Sequence, residues 1–184
     1  VQKYIATLNK NKEFNLNTLN LFSHESEFRK NTFFTKMIIE FLIEYKNNNN
    51  NQLTIGDISL GRDIGYSKDY VDAIYEIMKF NLKEEFIIAR NKLTKLSYFL
   101  EMCLEELEIQ YTIKYHENKT EYVNIKNNKT FLISNKSKYR DFDLRNIQGD
   151  NSKINKILSW SPQTDIREMV KIMISHEYKE KNAR

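Results

Sequence analysis

His24, Glu25, Ser26 and Arg29 crowd into the short stretch LFSHESEFRKNTFFT, residues 21–35. A guanidinium fork and an imidazole so close together suit the phosphate and ribose oxygens of a nucleotide. For His24 taken alone, the other reading is a loop histidine hydrogen-bonded to backbone. A second cluster is Arg62 and Asp63, which open RDIGYSKDYV, residues 62–71. An arginine ahead of a helix start is well placed to meet a pyrophosphate, whereas Asp63 and Asp69 read as structural, orienting the loop or the helix dipole. The third cluster is Arg140 and Asp143 within YRDFDLRNIQGDNSKINKILSWSP, residues 139–162. In that stretch Gly149, Ser152 and Trp160 are accounted for by a turn, a helix cap and packing.

The elements around these residues must position them. Residues 5–14 are helix-compatible, and Leu16, Leu19 and Leu21 partly alternate with polar residues as in a half-buried strand. His24 to Arg29 therefore fall on the loop at a strand's carboxyl end, where open α/β sheets bind ligands. From Thr32 onward, Phe34, Met37, Ile38, Phe41, Leu42 and Tyr45 follow helical spacing. A short strand is expected over Leu53 to Ile55. Ser67 should cap a helix with Tyr70, Ile74, Ile77 and Met78 on its inner face, and Phe86 to Ala89 reads as a buried strand. Thr94 precedes a helix carrying Leu96, Phe99, Leu100, Cys103, Leu104 and Leu107. Tyr111 to Leu132 suggests two weak strands or extended loops. Ser152 and Asp165 should cap two short helices separated by Pro162. Strands alternating with helices imply an α/β architecture.

Composition excludes several classes. The 184 residues are 40% hydrophobic, enough to fill the core of one domain or part of one. The net charge is only +4 with both signs interspersed, which argues against a dedicated nucleic-acid binder. No apolar run approaches the length of a membrane span, and nothing resembles a signal peptide. The single cysteine, Cys103, has no disulfide partner, which fits a reducing compartment or says nothing about redox; a cytoplasmic location is expected. The asparagine run 47–51 reads as a tolerated loop expansion.

The three clusters also carry a resemblance. LFSHESEFRKNTFFT resembles L-F-N-H-E-S-P-R-R-G-E-T-F-V-T of the GDP-mannose 4,6-dehydratases, members of the extended short-chain dehydrogenase/reductases. RDIGYSKDYV resembles their R-D-W-G-H-A-K-D-Y-V, and the third stretch their Y-R-P-x-E-V-D-x-L-x-G-D-P-S-K-A-x-x-x-L-G-W-x-P. The order and spacing are kept through nearly the whole chain. The resemblance implies the carboxyl-terminal portion of an NAD(P)-binding Rossmann fold, residues 1–184, comprising the last Rossmann elements and the smaller substrate-binding subdomain. It further implies an NADP-dependent lyase that converts GDP-mannose to GDP-4-keto-6-deoxymannose and forms a homo-oligomer when full length. His24 and Arg29 would touch NADP, Arg62 the sugar-nucleotide phosphates, and Arg140 with Asp143 the base and ribose.

No catalytic or metal-binding residue is carried over. The family's glycine-rich phosphate loop and its Y-x-x-x-K pair are expected upstream of Val1. Ser23, Glu27, Phe28 and Met37 depart from the family pattern, as does the segment 90–96. Two alternatives follow from those departures. One is a non-catalytic truncated relative that binds a nucleotide sugar. The other is an epimerase or dehydratase acting on a different nucleotide sugar.

Overall fold

A computed structural model describes residues 5, 8, 16–47, 51–80, 82–138 and 144–182, in two compact units. Unit 1 draws on residues 1–25, 63–93 and 147–166; unit 2 on residues 26–62, 94–146 and 167–184. The mixture of helices with parallel strand pairs is the α/β architecture expected from the sequence.

Unit 1 is built on one extended segment that changes partner. Strand β1 (Thr18–Leu21) pairs in parallel with Glu85–Ile88, and after Phe22 the chain continues as β2 (Ser23–Glu25). β2 pairs in parallel with residues 64–66 of the strand Gly61–Tyr66. Leu53–Ile55 being β3, these partners are β4 (Gly61–Tyr66) and β5 (Glu85–Ile88). Unit 1 also contains the helix Ser67–Lys79 and the short helix Ser152–Leu158. Their apolar faces meet β5 in a core of Tyr70, Ala73, Ile77, Phe86, Ile88, Ile154 and Trp160. Burying a side chain of this size stabilises by roughly 1.5–3 kcal/mol. The stagger Tyr70, Ala73, Ile77 is the helical spacing that makes such a face.

In unit 2, helix α1 (Phe34–Lys46) and the helix Leu96–Glu106 pack together, with Phe34 and Phe99 rings 6.4 Å apart. With Ser67–Lys79 as α2, Leu96–Glu106 is α3, Ser152–Leu158 α4 and Ile166–Asn182 α5. β6 (Leu93–Lys95) leads into α3. β7 (Tyr111–Tyr115), β8 (Lys119–Asn124) and β9 (Thr130–Asn135) form an antiparallel run, and β3 joins β9 in parallel. The Tyr45 ring stacks on Phe131, 4.7 Å away. Cys103 is fully buried on α3, so desolvation pushes its thiol up and leaves it unreactive.

Several expectations are corrected in detail. Three strands, not two, occupy 111–135. The last helix is long, 17 residues. Met78 is 72% exposed instead of lining the inner face of α2. Ser67 and Ser152 are first helical residues instead of caps, and the caps Tyr66 and Asn151 make no side-chain cap bond. At α4 the neighbouring Asp150 does that work, its Oδ1 accepting the Ser152 N–H at 2.9 Å. Among the described residues no helix is long and apolar enough to cross a membrane.

Candidate functional site

The chain changes strand partner at Phe22. The Phe22 N–H still donates to Ile88 O of β5 at 3.0 Å, and the next residues are already on β4. The carboxyl ends of parallel strands are where α/β sheets hold ligands. His24 therefore lies within β2, one step earlier than the loop expected from the sequence.

His24 is held from two sides. Its Nδ1 lies 2.8 Å from the Phe22 carbonyl oxygen, and its ring sits 5.2 Å from the ring of Tyr70 at a tilt of 47°. The backbone-bonded reading of this histidine and the ligand-binding one are thus compatible, because the bond uses only one ring nitrogen. Tyr70 is fully buried, and desolvation together with the Asp63 charge pushes its phenol well above the usual range, so it stays a neutral donor. The Tyr70 hydroxyl approaches Ser23 O at 3.5 Å, a weak contact. Gly65 stands opposite His24 in the β2–β4 register, and a Cβ there would lie 2.6 Å from Tyr70 Cε1. A glycine inside a strand marks a close approach, and here what approaches is the Tyr70 ring.

The neighbouring acids are structural, as the sequence suggested. Asp63, almost wholly buried, accepts the Arg90 N–H at 2.8 Å on Oδ1 and the Gly149 N–H at 3.2 Å on Oδ2. Asp69 accepts the Gln163 and Thr164 N–H groups at 3.1 and 2.9 Å and the Thr164 hydroxyl at 3.1 Å. Each carboxylate ties distant segments of unit 1 together, which explains charges inside the unit without invoking catalysis.

In unit 2, Arg62 turns its Nη1 to the carbonyl oxygens of Gly61 at 2.8 Å, Leu144 at 2.9 Å and Arg145 at 3.4 Å. The Gly61 N–H also donates to Arg145 O at 2.8 Å. Arg62 thus anchors the chain that follows Asp143; Arg140 and Asp143 themselves lie outside the described residues.

Arg29 lies in the turn after β2, its N–H on Ser26 O at 3.1 Å and its guanidinium 3.5 Å over the Phe33 ring. It borders a cavity of about 450 Å³ shared with Lys36, Glu40, His176, Glu177 and Lys181. Lys36 and Glu177 form a buried ion pair of 2.6 Å, and Lys36 also donates to Glu27 O at 3.1 Å. Phe28 is 78% exposed against the edge of His176, 5.1 Å between ring centres.

The structure assigns His24 to unit 1 and Arg29 and Arg62 to unit 2. Sequence reasoning missed Tyr70 and Gly65 as the supports of His24; the isolated glycine in an otherwise extended stretch was the available signal. Among the described residues no group of three or more His, Cys, Asp or Glu could hold a metal ion.

Comparison with known proteins shows the family and the fold. The family model described as GDP-mannose 4,6 dehydratase matches residues 2–173. The GDP-mannose 4,6 dehydratase of Dictyostelium discoideum is 29% identical over 157 residues, covering 85% of this chain and 44% of the relative. That of Homo sapiens is 28% identical over 175 residues, covering 93% and 46%. The chain therefore spans about half the length of the curated relatives it matches. Among solved structures, RMD from Pseudomonas aeruginosa complexed with NADPH superimposes with a TM-score of 0.77 at 13% identity, covering 97% of this chain and 52% of that one. dTDP-glucose 4,6-dehydratase from Bacillus anthracis in complex with NAD gives 0.73 at 11%, covering 98% and 50%. These likenesses show the fold, that of NAD(P)-binding epimerases and dehydratases. With a family model matching nearly its whole length, the chain belongs to the GDP-mannose 4,6 dehydratase family.

Proposed function

We propose that this chain is the cofactor- and sugar-nucleotide-holding part of an NADP-dependent lyase that converts GDP-mannose to GDP-4-keto-6-deoxymannose. The observation that carries the reading is the partner switch at Phe22, which puts a histidine of the family motif at the carboxyl end of parallel strands. Family membership supplies the reaction class. In this reading residues 1–184 are the last Rossmann elements plus the substrate-binding subdomain.

His24 and Arg29 are the proposed cofactor contacts. An imidazole with one nitrogen uncommitted to the Phe22 carbonyl and a guanidinium stacked on Phe33 fit a dinucleotide's ribose and phosphate oxygens. NADP, when bound, supplies the hydride acceptor. Arg62, Arg140 and Asp143 are the proposed contacts and supports for the sugar nucleotide. No residue of this chain is assigned a catalytic acid or base. The reading includes a cytoplasmic location, a homo-oligomer of the full-length protein, and no nucleic-acid or membrane partner.

The test is turnover by the full-length protein that contains these residues, given GDP-mannose and NADP, with the 4-keto-6-deoxy sugar nucleotide followed by mass spectrometry. The reading expects loss of one water from the sugar. Turnover of UDP-glucose or dTDP-glucose with GDP-mannose untouched would overturn the substrate, and binding without any turnover would overturn the lyase.

A further inference from the structure

We infer that the outer edge of β7 (Tyr111–Tyr115) pairs with the same edge of a second copy of this chain, antiparallel about Ile113, so that two four-stranded sheets become one. The inference gives the proposed homo-oligomer a surface in this chain and rests on none of the nucleotide chemistry.

β7 ends its sheet. The strand order is β3, β9, β8, β7, and among the described residues only β8 pairs with it. The ladder fixes which main-chain groups face outward. Gln110 O accepts the Ile125 N–H at 3.3 Å, and the His116 N–H donates to Lys119 O at 2.9 Å. In an antiparallel pair of unbroken register, every second residue bonds to the same neighbour. Residues 110, 112, 114 and 116 therefore face β8, and Tyr111, Ile113 and Tyr115 turn their N–H and C=O groups to the open edge.

That edge lacks most of the devices that discourage pairing. Edge strands are blunted by brevity, proline, bulges or charge. β7 has five residues where β3, at the other end of the sheet, has three. It contains no proline, and its register with β8 runs without a bulge. Tyr, Thr and Ile are strong strand formers. Thr112, Lys114 and Tyr115 are exposed, Tyr115 by 78%. The single charge of the strand is Lys114.

The edge is complementary to itself in one register. With Ile113 facing Ile113, Tyr111 faces Tyr115 of the second copy, and these three facing pairs exchange six hydrogen bonds. Tyr111, Ile113 and Tyr115 share one face of the strand, so each Tyr111 ring meets a Tyr115 ring, a favourable cross-strand pair. On the other face Thr112 meets Lys114, and the two lysines stand on a diagonal, roughly 7–8 Å apart, instead of opposed. Sliding Ile113 to face Tyr115 sets Lys114 against Lys114 and keeps only four of the bonds. Sliding it to face Tyr111 also keeps four and leaves Tyr115 without an aromatic partner. A second copy supplies every one of these matches, which is why it is the occupant.

Amide hydrogen exchange at rising concentration reads the pairing residue by residue. The Thr112 and Lys114 amides, bonded to β8, should be protected at every concentration. Those of Tyr111, Ile113 and Tyr115 should exchange fast at about 10 μM and slow markedly at about 1 mM, a span that brackets weak association. Sedimentation velocity over the same span should show the mass rising toward that of a dimer.

The register has its own test at Thr112, an exposed position. Thr112→Lys opposes Lys114 of the second copy at two places and should weaken association about fivefold. Thr112→Glu should strengthen it by a similar factor, and adding Lys114→Gln should remove that gain. Fast exchange of the three outward amides throughout, a monomer at every concentration, or association indifferent to the Thr112 series overturns the inference. Failure of the chain to bind any nucleotide leaves it standing, and its own failure leaves the nucleotide reading standing.

Discussion

Asp63 and Gly149, far apart in the chain, are joined by a hydrogen bond from the glycine N–H to the aspartate Oδ2, 3.2 Å long and buried. The same carboxylate takes the Arg90 N–H at 2.8 Å on its other oxygen. Removing it strands two backbone donors, each costing about 1–3 kcal/mol when left unsatisfied in the interior. Asp63→Ala should therefore destabilise the chain by about 3 kcal/mol in urea unfolding. Asp63→Asn, which keeps one acceptor oxygen, should cost less. A loss below about 0.5 kcal/mol for the alanine variant would mean that water already satisfies those donors.

Gly65→Ala should push the Tyr70 ring from its place, at a cost of about 2 kcal/mol for overpacking. The space for the methyl group is taken by Tyr70 alone among the nearest contacts. The cost should shrink in a Tyr70→Leu background. A double-mutant cycle measures the coupling, and strict additivity would show that the clash is relieved elsewhere.

How far the sequence foretold this arrangement depends on what each segment buries. Helix α1 was legible because Ile38 and Leu42 keep helical spacing, and β5 because Phe86 and Ile88 form a short apolar run. β4 was not legible as a strand. Its residues, GRDIGY, hide a buried carboxylate and a glycine needed for a neighbouring ring, so neither alternation nor β-propensity marks it. Met78 fooled the helical count, since the buried face of α2 ends at Ile77. At the candidate site, the family resemblance named His24, Arg29 and Arg62. The Phe22 carbonyl, Tyr70 and Gly65 came only with the fold, because main-chain acceptors and empty space leave little trace in side-chain chemistry.

Lys36 and Glu177 form a pair whose breakage should be costly. Both side chains are 8% exposed, so Lys36→Met leaves a buried carboxylate with only the more distant Lys181, 3.9 Å away, as its cation. The expected loss is about 3–5 kcal/mol, with most of it recovered when Glu177→Leu is added. Thermal unfolding of the two single variants and the double variant decides this. A double variant as unstable as the worse single one would show that the pair is not the operative contact.

Glu40, bordering the same cavity, gives a pH signature. Burial, then the Glu177 charge, pushes its carboxyl up, with Lys36 and Lys181 opposing. A group raised on folding holds its proton longer in the folded chain, so its contribution is full below the unfolded value and is lost as pH rises through the folded one. Glu40→Gln should therefore stabilise the chain near neutral pH, by under about 1 kcal/mol. It should do nothing at a pH below the ordinary carboxylate range. A benefit that grows on acidification would contradict the sign.

The central claim is that these residues hold a GDP-sugar, and calorimetric titration of the chain with GDP-mannose, UDP-glucose and dTDP-glucose tests it most directly. The account predicts saturable binding of GDP-mannose, weakened by Arg62→Ala, with the other two sugar nucleotides at least tenfold weaker, about 1.4 kcal/mol. Equal or tighter binding of UDP-glucose or dTDP-glucose, or GDP-mannose binding that Arg62→Ala leaves unchanged, would contradict it.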